Sequence, residues 1–200
     1  MKLRLLLAWA LCSNLALAQP VPDTGLHAEM QGQWSGAVDI YMHALKGDPA
    51  QPHLWERIAD IRATRLKAPA SAAEALREAV KYAPTDARLH HKLSQAYAAA
   101  QDGSGALAAI NRAAELEPGN ATYMRARGEI ATWTGDYALA LESFERVLAQ
   151  APEDADALLG AARAASRGGN KDAAALRYRS YLTQRPQDKD VMLEIMELEA

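Results

Sequence analysis

The sequence predicts an all-α protein of about five helix-turn-helix repeats followed by one further helix. Three features recur in phase. A Pro recurs with successive spacings of 35, 34, 34 and 34 residues, at Pro49, Pro84, Pro118, Pro152 and Pro186. An Ala lies twelve residues before each Pro, and a bulky residue lies four residues after that Ala. A constant period of this length indicates a repeat architecture.

The amino-acid usage supports helices over strands. The chain holds 44 Ala, whereas Val and Ile together number only 11. Ala has the highest helix propensity, and β-branched residues are the ones enriched in strands. A sheet is therefore not expected in this chain.

The N-terminus has the pattern of a cleaved signal peptide over residues 1–18. Lys2 and Arg4 precede an apolar run, and small residues at Ala16 and Ala18 stand before Gln19. The alternative, a membrane anchor, needs about 20 apolar residues, and this run is shorter. We therefore expect a repeat domain over 19–200, located in the periplasm or secreted.

The first repeat, about 18–51, has a clear second helix, because Gly32 supplies a turn before Trp34 and Tyr41. Its first helix, about 24–30, lacks large residues and is expected to fray as terminal repeats do.

The second repeat, 52–86, opens with Pro52, which is tolerated in the first helical turn. Residues 66–69 replace a Gly-containing turn and add one residue, which accounts for the spacing of 35. Ser71 is predicted to cap the second helix, with Glu74 completing a capping box.

The repeats 87–120, 121–154 and 155–188 share the 34-residue register. Their internal turns are predicted at Asp102-Gly103, Gly135-Asp136 and Gly168-Gly169-Asn170, because Gly and Asn accept the positive φ that ends a helix. Small residues recur where the two helices of a repeat approach each other, at Ala59, Ser94, Gly128 and Ala162. Arg127 departs from this register at a core-facing position. Either its stem packs while its head reaches solvent, or it forms a buried ion pair.

A terminal helix is predicted over 189–200. Val191, Ile195 and Leu198 form one apolar line along it, and Met192 and Met196 form a second line beside the first. We expect the first line to dock on the fifth repeat. The two Met are predicted to contact another protein, a second copy of the chain, or residues outside it, because flexible Met side chains suit an adaptable surface.

The repeat pattern resembles the tetratricopeptide repeat family, whose unit carries Trp, Leu, Gly, Tyr, Ala, Phe and Pro at fixed offsets. The resemblance covers about 30–190. It implies a right-handed α-solenoid in which the first helix of each repeat lines a concave groove. The fold does not specify the ligand, because many partners bind to it.

Carrying the family's groove offsets onto this sequence gives a set of candidate partner-binding residues. Glu56 and Asp60 make one end of the groove acidic, and the other end is basic. The predicted contact residues are His91, Gln95, Arg125, Glu129, Trp133, Arg163 and Arg167. The alternatives are an ordinary solvated face for the charges and packing against the fifth repeat for Trp133. The hypothesis is that Arg125, Trp133, Arg163 and Arg167 jointly contact an acidic segment.

No catalytic, phosphate-binding or dinucleotide-binding motif is present in the sequence. His90 and His91 are adjacent on a helix and point about 100° apart, so a metal site is not expected. The formal net charge of -3 and the lack of a basic tract argue against nucleic acid as a partner. No cofactor is expected.

The sequence supports two functional hypotheses. The first is a non-catalytic interaction module or scaffold in the bacterial cell envelope, which holds a protein or peptide segment in the groove. The alternative is a periplasmic scaffold of an exopolysaccharide or cellulose export apparatus, as the N-terminal part of a longer chain. Self-association through the terminal helix is compatible with both.

Overall fold

The computed structural model describes residues 21–199, so the predicted leader over 1–18 lies outside the described residues. The described residues form eleven helices and no strand. These are α1 Asp23–Met30, α2 Trp34–Gly47, α3 Pro52–Thr64, α4 Pro69–Tyr82, α5 Ala87–Ala99, α6 Gly103–Leu116, α7 Ala121–Thr134, α8 Tyr137–Gln150, α9 Ala155–Arg167, α10 Lys171–Gln184 and α11 Lys189–Glu199. No helix within 21–199 is long and apolar enough to cross a bilayer.

The helices pair along the chain as α1 with α2, α3 with α4, and so on up to α9 with α10, while α11 packs on α10. The principal contacts of each helix are with helices one or two places away in sequence. Contact limited to near neighbours is the property of a solenoid. The predicted fold class, an α-solenoid of about five helix-turn-helix repeats with a C-terminal helix, is confirmed.

Side-chain caps begin the helices from α5 to α10. In each case an Asp or Asn oxygen accepts from backbone N–H groups of the first turn, at Asp86, Asp102, Asn120, Asp136, Asp154 and Asn170. Helix α4 is different, because it begins at Pro69 after Ala68 and has no side-chain cap. The prediction that Ser71 caps this helix is wrong. Pro69 supplies a suitable φ at the first position, and the helix therefore starts two residues earlier.

The internal turns use Gly less than the sequence suggested. Gly135 and Gly169 have positive φ, as predicted. In the third repeat the left-handed residue is Gln101, with φ 62°, and Gly103 is the first residue of α6. Lys67 takes the same conformation, with φ 54°, in the longer turn of the second repeat.

The small residues let helices approach around large side chains. A Cβ on Gly128 of α7 would lie 2.8 Å from Cζ of Phe144, and a Cβ on Gly160 of α9 would lie 2.6 Å from the same atom. The ring of Phe144, on α8, is therefore held between two glycines and is 4% exposed. Gly128 was predicted as a close-approach residue, whereas Gly160 was not.

The first repeat is tied to the second by a polar cluster. Glu29 accepts a hydrogen bond from the Tyr41 hydroxyl at 2.6 Å and from Arg57 Nε at 2.6 Å. Gly25 leaves room for the Tyr41 ring, because a Cβ there would overlap ring carbon Cε1. The lack of a side chain at Gly25 of α1 thus accommodates the Tyr41 ring. Helix α1 is formed over Asp23–Met30, and its predicted fraying stays a prediction.

Candidate partner-binding groove

The first helices of the repeats and the terminal helix form one face of the solenoid, which we call the first-helix face and define as α1, α3, α5, α7, α9 and α11. Three recesses lie between neighbouring helices of this face. We name them by the helices that flank them: the α3–α5, α5–α7 and α9–α11 recesses. The residues predicted to bind a partner can be placed relative to these recesses.

The α3–α5 recess has a volume of about 380 Å³ and a mainly apolar floor that includes Ala59 and Leu76. Asp60, Lys92 and Gln95 stand at its walls. The Lys92 ammonium lies 2.8 Å from carboxylate oxygens of both Glu56 and Asp60, so the acidic end predicted from the sequence is neutralised by the next repeat.

The α5–α7 recess, of about 300 Å³, brings together four of the predicted residues. His91 and Gln95 come from α5, and Arg125 and Glu129 come from α7. The same spacing of four residues on each helix aims the two pairs at the gap between the helices.

Burial shifts the pKa values of two side chains in this recess, His91 and Glu129. It lowers the pKa of His91, so the imidazole is neutral near pH 7. The His91 ring packs on the ring of Tyr123, with the centroids 5.1 Å apart. Partial burial raises the pKa of Glu129, and the neighbouring Asp156 carboxylate adds to this effect while Arg125 opposes it.

The α9–α11 recess, of about 560 Å³, contains the predicted Arg163 and Arg167. Ser166, which the groove offsets of the family also place on this face, lies in the same recess. Sequence reasoning missed the rest of its polar lining, which comprises Lys171, Tyr178, Glu194 and Glu197. Glu194 accepts from Arg163 Nη2 at 2.6 Å and from the Tyr178 hydroxyl at 2.7 Å. The bond from Arg163 is the main cause that holds the pKa of Glu194 below its usual range.

Trp133 joins neither cluster. Its ring lies against the start of α6, where a Cβ on Gly103 would be 3.4 Å from ring carbon Cζ3. Gly103 belongs to the third repeat, and packing of Trp133 against the fifth repeat stays an untested alternative. The side chain is 46% exposed.

The four residues predicted to form one patch are thus distributed over three places. Two of the four residues, Arg125 and Arg163, are already paired with carboxylates of this chain. Arg125 donates two hydrogen bonds to Asp154, at 3.0 and 2.5 Å, and Arg163 is bound to Glu194. An acidic ligand would have to compete with these carboxylates at Arg125 and Arg163.

Arg127 lies away from the first-helix face. Its Nε donates to the buried Ser143 hydroxyl at 2.8 Å, and Nη2 lies 3.2 Å from Glu142, both on α8. The side chain is 12% exposed. The ion-pair interpretation therefore describes it better than a head in solvent, but the pair joins the two helices of one repeat.

The terminal helix α11 packs through Val191, which is buried, and through Ile195 and Leu198. Met192 and Met196 are 37% and 65% exposed. Their predicted contact with a partner stays a prediction.

One sequence signal was available for the ion pairs that the prediction missed. The partners lie slightly less than one repeat apart, at Glu56 with Arg88, Asp60 with Lys92, Arg125 with Asp154, and Arg163 with Glu194. Opposite charges at this separation lie on two neighbouring first helices, or on one first helix and the residue that caps the following first helix. A free basic patch can therefore not be inferred from one helix alone.

Comparison with known proteins agrees with this architecture. A sequence profile described as tetratricopeptide repeat matches residues 66–121 and 134–189, which is more than half of the chain. No protein with a curated function matches the chain significantly.

Several solved structures share the fold at low sequence identity. MamA is 22% identical, with 84% of this chain and 91% of that chain covered and a TM-score of 0.70. YrrB, described as a tetratricopeptide repeat protein with an unusual peptide-binding site, is 18% identical over 88% and 91% of the two chains, with a TM-score of 0.74. PilW, described as a type IV pilus biogenesis factor, is 20% identical over 88% and 82%, with a TM-score of 0.59. At these identities the likeness shows the fold alone.

Proposed function

Because the chain belongs to the tetratricopeptide repeat family, whose members mediate protein–protein interaction, we propose that it is a non-catalytic interaction module that holds a partner segment against its first-helix face. One observation carries this proposal. Successive recesses lie along a single face, and one of them collects His91, Gln95, Arg125 and Glu129 from two repeats. An extended segment that crosses this face passes the recesses in turn, several residues apart, because neighbouring helices are separated by more than one residue's length.

The α9–α11 recess is the position for an acidic residue of the partner. Three cationic side chains line it, at Arg163, Arg167 and Lys171. Arg163 is bound to Glu194, whereas within residues 21–199 no carboxylate lies within 4.0 Å of a charged nitrogen of Arg167 or Lys171. These two cations, with the Ser166 hydroxyl beside them, are suited to donate to a carboxylate.

Photocrosslinking in the native cell tests this function. A photoreactive residue at Gln95, which lines two recesses, is expected to capture a discrete partner that mass spectrometry identifies. Arg167→Glu with Lys171→Glu is expected to reduce capture strongly, and more so at low salt. The matched control reverses two charges away from the face, with Lys46→Glu and Arg77→Glu. Equal capture by both double variants would contradict the proposal.

We place the module in the bacterial cell envelope, on the basis of the signal-peptide pattern at 1–18. A component of an export apparatus is one partner compatible with that location, and the same crosslinking would identify it. Cell fractionation followed by N-terminal sequencing is expected to find the chain in the periplasm, beginning at Gln19. A cytoplasmic chain that retains residue 1 would refute the location.

A further inference from the structure

Ion pairs join neighbouring first helices along most of this side of the solenoid. Glu29 of α1 binds Arg57 of α3, and Glu56 and Asp60 of α3 bind Arg88 and Lys92 of α5. Further along, Arg125 of α7 binds Asp154 at the start of α9, and Arg163 of α9 binds Glu194 of α11. Among the described residues, no such pair joins α5 to α7.

Charged and polar groups nevertheless line the α5–α7 recess, where the series of ion pairs between first helices is interrupted. Glu129 opens into it, and within 21–199 no Lys, Arg or His nitrogen lies within 4.0 Å of its carboxylate. The guanidinium of Arg125, the nearest candidate on the same helix, makes two hydrogen bonds to Asp154 instead. The Glu129 carboxylate therefore has no ion-pair partner within residues 21–199.

The facing helix does not supply the missing cation. His91 is the titratable residue that α5 contributes to the recess, and its burial keeps it neutral near pH 7. Gln95 contributes an uncharged amide. On α9, Asp156 adds a second negative charge close enough to raise the pKa of Glu129.

We propose that the α5–α7 recess receives a basic side chain of the bound segment, with the Glu129 carboxylate as its counter-ion and the Gln95 amide oxygen as a second acceptor. This inference rests on the proposed function. The recess volume of about 300 Å³ is at the lower limit of ligand pockets and suits one long side chain. Ala126 and Ile130 offer apolar contact to its methylene stem.

The two recesses then require opposite charges. A basic residue enters between α5 and α7, and an acidic residue lies near Arg167 and Lys171 between α9 and α11. Such an arrangement fixes the direction in which a segment lies on the face, because the reversed segment would place like charges together. The acidic-segment hypothesis from the sequence therefore describes only one end of the site.

A selection from a random peptide display library tests the inference. Peptides are retained on the chain and discarded if they also bind Ala126→Trp, which fills the recess. The retained peptides are expected to share one Lys or Arg. Their Kd is expected to rise about tenfold in Glu129→Gln, which is the loss of one charge-assisted hydrogen bond. The matched control Glu74→Gln changes the same charge on the exposed side of α4 and should leave Kd unchanged.

A double-mutant cycle separates a direct contact from a general effect of charge. Replacing the shared Lys by norleucine should weaken binding to the unmutated chain about tenfold, and should have little effect on binding to Glu129→Gln. Circular dichroism should show that Glu129→Gln melts no lower than the unmutated chain, because the partly buried carboxylate is unfavourable to folding.

The outcomes distinguish this inference from the function on which it rests. The inference would be overturned, and the function left standing, by either of two results. The recess-binding peptides could lack a basic residue, or they could carry one and bind Glu129→Gln with an unchanged Kd. If instead every peptide selected on the unmutated chain bound equally well to Ala126→Trp and to Arg167→Glu with Lys171→Glu, so that none passed the discard step, the face would not be used and both would be overturned.

Discussion

The glycine contact around Phe144 gives the sharpest stability prediction. In Gly160→Ala the added methyl would lie 2.6, 2.7 and 2.8 Å from three ring carbons. Distances under 3.0 Å require a shift, and the ring has little room to move because a Cβ on Gly128 of α7 would also lie only 2.8 Å from its Cζ. Overpacking a core in this way costs about 1–3 kcal/mol. The gain in helix propensity from Gly to Ala offsets about 1 kcal/mol of that cost.

A second glycine isolates the steric part. Gly36 lies in α2, and the nearest atom to a Cβ there is Gln33 Cβ at 3.9 Å. Gly36→Ala is therefore expected to stabilise the chain by up to about 1 kcal/mol through propensity alone. The difference between the two variants should be about 1–3 kcal/mol, or roughly 2–4 °C in Tm for each kcal/mol.

Urea unfolding followed by circular dichroism measures both variants. Phe144→Leu should remove most of the penalty of Gly160→Ala. The double variant should therefore lose less free energy of unfolding than the sum of the losses in the two single variants. If Gly160→Ala proved as stable as Gly36→Ala, the ring would not be confined between the glycines and the reasoning would be wrong.

Three further predictions concern other parts of the solenoid. Gln101→Gly should raise Tm, because the left-handed backbone costs a residue with a Cβ about 1–2 kcal/mol and glycine almost nothing; an unchanged or lower Tm would contradict this. Burial and the hydrogen bond to Glu29 raise the pKa of Tyr41 to about 12. The folded chain therefore keeps a proton that the unfolded chain releases near pH 10, so stability should fall between about pH 10 and 12. This part of the fall should be absent in Tyr41→Phe, and an identical alkaline profile would refute the coupling. Met192→Asp with Met196→Asp should leave Tm unchanged, because both side chains are exposed, but should abolish partner capture or self-association measured by light scattering; no change in either would leave the Met surface without a role.

The helix pairs were predictable because the period of 34 residues is carried by Pro, Ala and bulky residues that serve packing. The close-approach role of Gly128 was predictable for the same reason. Gly160 was missed because it leaves room for Phe144 from the next repeat, and the register of one repeat does not show packing across a boundary.

The candidate site was predictable only as a set of positions. The helical spacing that places His91, Gln95, Arg125 and Glu129 at one recess follows from the repeat register. Whether a charge there is free depends on the neighbouring repeat, and the Arg125–Asp154 pair shows that this cannot be judged helix by helix. The start of α4 at Pro69 was missed for a local reason, since Pro69 and the Ser71 capping pattern predicted different first residues for the helix.

Asp154 has two roles at once, with a consequence for how the solenoid unfolds. One carboxylate oxygen accepts from the Ala157 amide and caps α9, while both oxygens accept from Arg125 of α7. Fraying of α9 at this cap therefore also loosens its attachment to the fourth repeat. Unzipping from the C-terminus should meet a cooperative step at this boundary, so that the fifth repeat detaches as a unit instead of residue by residue.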